Sequence, residues 1–269
     1  MRHAYLIIAH NEFEILELLV SKLDDERNDI YVHFDRKVQT LPQLTVSKGH
    51  LYVLDKRVDV RWGNVSQIKW EMVLFEKALE NGPYDYCHLI SGTHLPLMDI
   101  EGIDSFFSGK AGCSVVAGMV KDTDYQETLK MRRINLFTKN YASGNRLLSR
   151  CSQFLWKSFI ALQKMLGIRI NRSSTFYKAS NWVSLTDEAV RYIVSKKKLI
   201  YRKYRFSLCG DEFFVPSELM ESPLKDKLVN NELLLKREMQ RANPRVYHLD
   251  ELDGLKESGC VFARKFTIG

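Results

Sequence analysis

Along the first half of the chain, short apolar runs alternate with stretches whose apolar residues recur every three or four positions. The runs Ala4–Ala9, Asp29–Phe34, His50–Leu54, Tyr84–Ile90 and Cys113–Met119 have the length and composition of buried strands. Between them, Glu12–Leu23 and Ser66–Leu79 carry the helical period. Strands separated by helices of this length imply βαβ units and a mostly parallel sheet. The second half is less regular, with helices expected near 145–167, 186–196 and 216–228. No repeat, low-complexity run or linker divides the chain, so one α/β domain over residues 1–269 is expected.

Composition narrows the class. A chain of 269 residues with 45% hydrophobic and 27% charged residues is ordinary for a globular protein with a substantial core. No apolar run reaches the roughly 18–20 residues that cross a bilayer. The opening MRHAYLIIAHNEFE passes from a short apolar stretch straight into acidic residues, unlike a signal peptide. Five scattered cysteines without CxxC spacing fit free thiols in a reducing compartment. A cytoplasmic protein is therefore expected. The formal net charge of +7 asks for an anionic partner. With no RRM, zinc-finger or helix-turn-helix signature, nucleic acid is not expected to be that partner.

In α/β sheets, ligands bind outside the carboxyl ends of the strands, so polar residues that follow apolar runs are candidates. His10 follows the first run, Asp35 the second and Ser91-Gly92-Thr93-His94 the fourth. A carboxylate such as Asp35 can accept from ribose hydroxyls or a base N–H; a turn-forming Asp has the same signature. Trp62-Gly63 combines a stacking face with a residue that permits close backbone approach. A tryptophan that plugs the core would look alike, and Ser66 would then be a simple helix cap. Cys209-Gly210-Asp211-Glu212-Phe213-Phe214 sets two carboxylates in an otherwise apolar stretch, as a general base requires. Asp-Glu is also a common helix start. Asp122-Thr123-Asp124 is expected to be a solvated loop rather than a metal site. Two phenylalanines, Phe262 and Phe266, bracket Arg264-Lys265 and point to a docked tail.

In order and spacing, these blocks resemble the Core-2/I-branching glycosyltransferases, glycosyltransferase family 14. The matching elements are Ala9-His10-Asn11 with His33-x-Asp35, Trp62-Gly63-x-x-Ser66, the Ser91-Gly92 loop closed by Pro96, Ser180–Thr186 followed by Asp211-Glu212, and Phe262-Ala263-Arg264-Lys265-Phe266. The resemblance implies a GT-A-like Rossmann-type fold, with a central mostly parallel mixed sheet flanked by helices. It also implies a nucleotide-binding half to about residue 120 and an acceptor-binding half beyond it. By the same resemblance Glu212 is the base, and His10, Asp35, Trp62 and Gly63 hold the nucleotide. Lys265 contacts the diphosphate with Arg264 and an upstream cation, Arg237 or its neighbours Lys236 and Arg241. Ser91, Gly92, His94, Arg133 beside Arg132, Trp182 and Asp211 fall to the substrate side; a core position for Trp182 and plain surface charges at Arg132 and Arg133 are the equal alternatives. The expected reaction is inverting and metal-independent, with no cofactor. It moves a sugar, GlcNAc foremost, from a UDP-sugar to a hydroxyl of a glycan or lipid-linked oligosaccharide in bacterial capsule, exopolysaccharide or glycolipid synthesis. UDP-xylose, UDP-galactose and UDP-glucose are alternative donors, and a non-catalytic carbohydrate- or nucleotide-binding module is the alternative class. His94 stands where many relatives have an aspartate, and Cys-Gly-Asp-Glu replaces Pro-Asp-Glu. The anchor, stem and paired cysteines of secretory-pathway animal members are missing, as in a compact bacterial-type member.

One segment stands apart. In 145–168, Leu147, Leu148, Cys151, Phe154, Leu155, Phe159, Leu162, Met165 and Leu166 share one broad helical face, with Arg146, Arg150, Lys157 and Lys164 on another. Packing of the apolar face on the core is expected. The alternative is peripheral contact with an anionic membrane, at the inner face of the cell membrane for a cytoplasmic protein.

Overall fold

The structure is a computed structural model and describes residues 1–121, 125–240 and 243–268. Asp122-Thr123-Asp124 and Arg241 lie outside the described residues. The main sheet contains β1 (His3–Ala9), β2 (Asn28–Phe34), β3 (His50–Val53), β4 (Tyr86–Ser91), β6 (Ser114–Val116), β9 (Ser184–Leu185) and β10 (Leu228–Asn230). Their order is β10-β6-β9-β4-β1-β2-β3. β1 runs parallel to both β2 and β4, and β9 is antiparallel between β4 and β6. A smaller sheet has the order β11-β14-β5, from β5 (His94–Pro96), β11 (Leu235–Lys236) and β14 (Phe262–Arg264). Two short ladders join β7 (Val120–Lys121) to β8 (Tyr177–Lys178) and β12 (Met239–Gln240) to β13 (Asn243–Pro244).

The helices are α1 (Phe13–Leu23), α2 (Ser66–Asn81), α3 (Ile100–Ser108), α4 (Tyr125–Lys130), α5 (Arg146–Met165), α6 (Asp187–Ser195), α7 (Lys197–Tyr204), α8 (Phe214–Met220) and α9 (Leu252–Lys256). The α/β class and the mostly parallel central sheet are as expected. β1 and β2 are buried along their whole length, which is why they read as continuous apolar runs. α2 seats Ile68, Met72, Leu74, Phe75 and Ala78 in the core.

Several boundaries differ from expectation. Cys113–Met119 contracts to β6, and the helix expected over 216–228 is α8, which stops before Pro223. Ser66 does not cap α2; its hydroxyl accepts from the Arg61 N–H at 2.8 Å and closes the Trp62-Gly63 turn. The larger correction concerns α5. Its buried residues are Ser152, Trp156, Ile160 and Gln163, whereas Leu147, Phe154 and Met165 are 71%, 70% and 76% exposed. The face expected to pack on the core points away from it.

Candidate active site

A cavity of about 570 Å³ opens at the carboxyl ends of β1 and β2, lined by His10, Phe13, Asp35, Lys37, Trp62 and Gln67 among others. That volume is in the usual range for a small-molecule pocket. The two strand ends are held level because the Asp35 N–H donates to the Ala9 carbonyl at 2.9 Å. The buried Asp35 carboxylate accepts from the Lys37 N–H (2.9 Å) and ammonium (2.7 Å). Arg57 fastens the same loop by donating to the Phe34 (3.3 Å) and Asp35 (2.7 Å) carbonyls. His33 is structural: burial pushes its pKa down to about 4, and its Nε2 accepts from the Val58 N–H at 3.0 Å.

Trp62 is 49% exposed at the pocket rim, not a core plug, and stacks on Tyr141 with ring centroids 5.3 Å apart. Gly63 has φ +69°, and a Cβ there would fall 2.6 Å from Leu208 Cδ1, so only glycine fits. Its carbonyl accepts from the Cys209 N–H at 3.0 Å, and its N–H donates to Gln67 Oε1. The turn thereby brings the Asp211-Glu212 segment against the pocket, although about 150 residues of chain lie between them.

Cations arrive from the docked C-terminal tail. β14 pairs with β5, Arg264 opposite His94, and Phe262 and Phe266 are buried. Packing against the protein, then the positive charge of Lys265, hold the His10 pKa below its usual value. The Arg264 guanidinium lies 4.8 Å over the Trp182 ring. Burial and neighbouring Arg237 bring its pKa down to about 10. Arg237 is exposed, whereas Lys236 pairs with Glu238 at 3.3 Å. Among the described residues, Arg237 is therefore the upstream cation whose charge is felt at Arg264.

Four residues expected to meet substrate are instead beneath this layer. Ser91, Gly92, His94 and Trp182 are all buried. His94 Nδ1 accepts from the Ser91 N–H at 3.0 Å and lies 2.8 Å from its hydroxyl, and a Cβ on Gly92 would press on Ala9 Cβ at 3.3 Å. Burial and then Arg264 keep His94 uncharged, its pKa well below the usual value. A neutral histidine in place of an aspartate thus supports the Arg264–Trp182 stack, with its ring 4.9 Å from Trp182. Arg133 is also buried and donates to the carbonyls of Gln163 (2.9 Å) and Ile168; Arg132 donates to those of Asn171 (2.7 Å) and Ser174 (3.0 Å). Both arginines fasten loops rather than face an acceptor.

The two adjacent carboxylates occupy different environments. Asp211 is buried, and its Oδ2 accepts from Gln67 Nε2 at 3.0 Å. Burial, then the charge of Glu212, push its pKa up to about 7. Beneath it Glu71 of α2 is fully buried, its pKa raised well above the usual value by burial and by Asp211. Glu212 keeps a third of its side chain exposed, between the Lys130 (3.1 Å) and Lys178 (3.7 Å) ammonium groups. Burial disfavours the Lys130 charge, but Glu212 together with Cys209 and Asp211 more than offsets this and its pKa is raised. Asp211 is thus the buried carboxylate of the pair, and Glu212 the one open to solvent.

Sequence reasoning missed Lys37, Gln67, Glu71, Lys130 and Lys178. Gln67, one residue past the Trp62-Gly63-x-x-Ser66 block, carried the only local signal; the lysines are indistinguishable in sequence from solvated charges. Among the described residues no group of three or more His, Cys, Asp and Glu is placed to hold a metal ion.

With this geometry the comparisons with known proteins agree in kind. The family model described as Core-2/I-Branching enzyme matches residues 3–251. The chain belongs to the Core-2/I-branching enzyme family. Its family is one of glycosyltransferases, which bind a nucleotide-sugar donor and a glycan acceptor. No curated protein matches the sequence. Among solved structures the chain is similar to apo mouse xyloside xylosyltransferase 1, at 10% identity over 97% of this chain and 96% of that one, with a TM-score of 0.37. Among the described residues no helix is long and apolar enough to cross a membrane.

Proposed function

We propose that this family member is an inverting, metal-independent transferase that moves a sugar, GlcNAc foremost, from a UDP-sugar to a hydroxyl of a glycan or lipid-linked oligosaccharide. A role in bacterial capsule, exopolysaccharide or glycolipid synthesis, at the inner face of the membrane, goes with that acceptor. One observation carries the reading: Gln67 lines the donor-sized cavity and ties it to Asp211-Glu212, while the docked C-terminal tail brings the Lys265 charge near enough to be felt at His10 on the same cavity. In this reaction the Glu212 carboxylate takes the proton of the acceptor hydroxyl. The acceptor oxygen bonds to the anomeric carbon from the face opposite the leaving group. The anomeric C–O bond breaks, and its electron pair leaves on the diphosphate of UDP. Lys265, Arg264 and Arg237 offset that growing charge, as preorganised cations in a dry site do best. Asp35 and the rim ring of Trp62 hold ribose and base.

The test is UDP release from a panel of UDP-sugars, with and without EDTA. Release from one donor that survives EDTA names the donor; release that EDTA abolishes overturns metal independence and directs attention to Asp122 and Asp124. Glu212→Gln is expected to lower turnover roughly 10²–10⁴-fold while UDP still binds. Full activity in that variant would remove Glu212 from the mechanism. Lys265→Ala is expected to cost about 3 kcal/mol of transition-state stabilisation, read as kcat/KM.

A further inference from the structure

From Thr128 to Thr186 the chain holds eleven Lys and Arg and no Asp or Glu; +11 here against +7 overall leaves −4 for the rest. Within this segment α5 divides into three sectors. Ser152, Trp156, Ile160 and Gln163 face the protein. At about 100° per residue, Arg146, Arg150, Lys157 and Lys164 form a stripe about 40° wide beside that face. By the same rotation, Leu147, Phe154, Leu155, Leu162 and Met165 span an arc about 100° wide beyond the stripe, and all five are exposed. Phe137, whose ring meets Phe159, and Ile168, just past the helix, extend the exposed apolar surface, and Arg132, Arg169 and Arg172 line a groove of about 320 Å³.

We infer that this face of α5 is a docking surface for an anionic phospholipid bilayer. The apolar arc enters the boundary between headgroups and acyl chains, and the flanking cations meet lipid phosphates, as in helices that lie in the interface without spanning it. Charge chooses this occupant over a second copy of the chain, since apposing the same face would bring two acid-free basic surfaces together. The surface also touches the site. Ser149 Oγ and Gln153 Nε2 donate to the Tyr141 carbonyl at 2.7 and 3.2 Å, and the Tyr141 ring stacks on Trp62 at the pocket rim. A docked helix therefore holds the donor pocket at the bilayer surface, where a lipid-linked acceptor presents its hydroxyl. That last step rests on the transferase reading; the membrane contact does not.

Vesicle co-sedimentation of the full chain tests it, with vesicles of phosphatidylcholine alone and of phosphatidylcholine mixed with phosphatidylglycerol. The chain is expected to bind the mixed vesicles, weakly the neutral ones, and to be released by salt. Arg150→Glu/Lys157→Glu and Phe154→Ser/Leu162→Ser are each expected to weaken binding by at least about tenfold. Both pairs are solvent-exposed, so the variants should keep the parent's circular dichroism and UDP release with a soluble acceptor. Failure of the parent chain to bind anionic vesicles, or parent-level binding by both double variants, overturns the inference. So does a concentration-dependent dimer that the same substitutions abolish. Vesicle binding without any UDP release would sink the transferase reading and leave the docking surface standing.

Discussion

Helices α2 and α5 are both amphipathic in sequence, yet they settle in opposite ways. α2 turns Ile68, Met72, Leu74 and Phe75 into the core and packs across the sheet between β3 and β4. α5 turns inward a face with two polar members, Ser152 and Gln163, and leaves most of its leucines outside. What differs is the partner. α2 is the crossover between strands of one sheet, so its apolar stripe meets an apolar sheet face. α5 lies over residues 134–137, whose backbone groups need partners. Gln163 supplies them by accepting from the Ile134 N–H and donating to its carbonyl, both at 2.9 Å. Ser152 donates to the Phe137 carbonyl, and Trp156 Nε1 donates to Asn135 Oδ1 at 2.9 Å. Leaving such buried polar groups unmet would cost about 1–3 kcal/mol each, enough to choose which face turns in.

The contrast can be broken by substitution. Phe75→Ala, fully buried on α2, is expected to cost about 3–5 kcal/mol in denaturant melts. Trp156→Ala should cost about 3 kcal/mol, since it opens a cavity under α5 and strands Asn135. Asp211→Asn reports the buried floor between α2 and the site. Its carboxyl titrates near 7 when folded and near 3.9 when unfolded. Folding therefore favours the protonated form: the stabilisation is complete below about pH 4, drains as pH rises toward 7, and is gone above it. The parent should accordingly lose melting temperature relative to Asp211→Asn between pH 4.5 and 8, and a pH-independent gap would refute the assignment. The smallest effect belongs to Phe154→Ala, expected within about 0.5 kcal/mol of the parent. A loss there as large as that of Trp156→Ala would mean that α5 packs through its apolar face after all.

That His10 and Asp35 line a cavity at two strand ends was legible because the signal is local. His10 and Asp35 each sit immediately after an apolar run, and a strand end followed by a polar residue is a pattern of one segment. The docked tail was legible for a similar reason, through the phenylalanines around Arg264-Lys265. The substrate side was not. His94, Trp182 and Arg133 have the chemistry of ligand-binding residues, but they are buried against Ser91, Arg264 and the carbonyls of Gln163 and Ile168. Nothing in a side chain's identity says which distant segment will cover it.

Sequence alone determined the first four strands and their order in the chain, the amphipathic helices, and the blocks that mark a Core-2/I-branching enzyme, because each depends on neighbours a few residues apart. Tertiary structure alone decided that the C-terminal tail docks with Arg264 opposite His94, that Gln67 holds Asp211 while Glu212 stays open between two lysines, and that α5 shows its apolar face outward. These are contacts between segments far apart in the chain, selected by which buried polar groups found partners and which apolar surfaces found room.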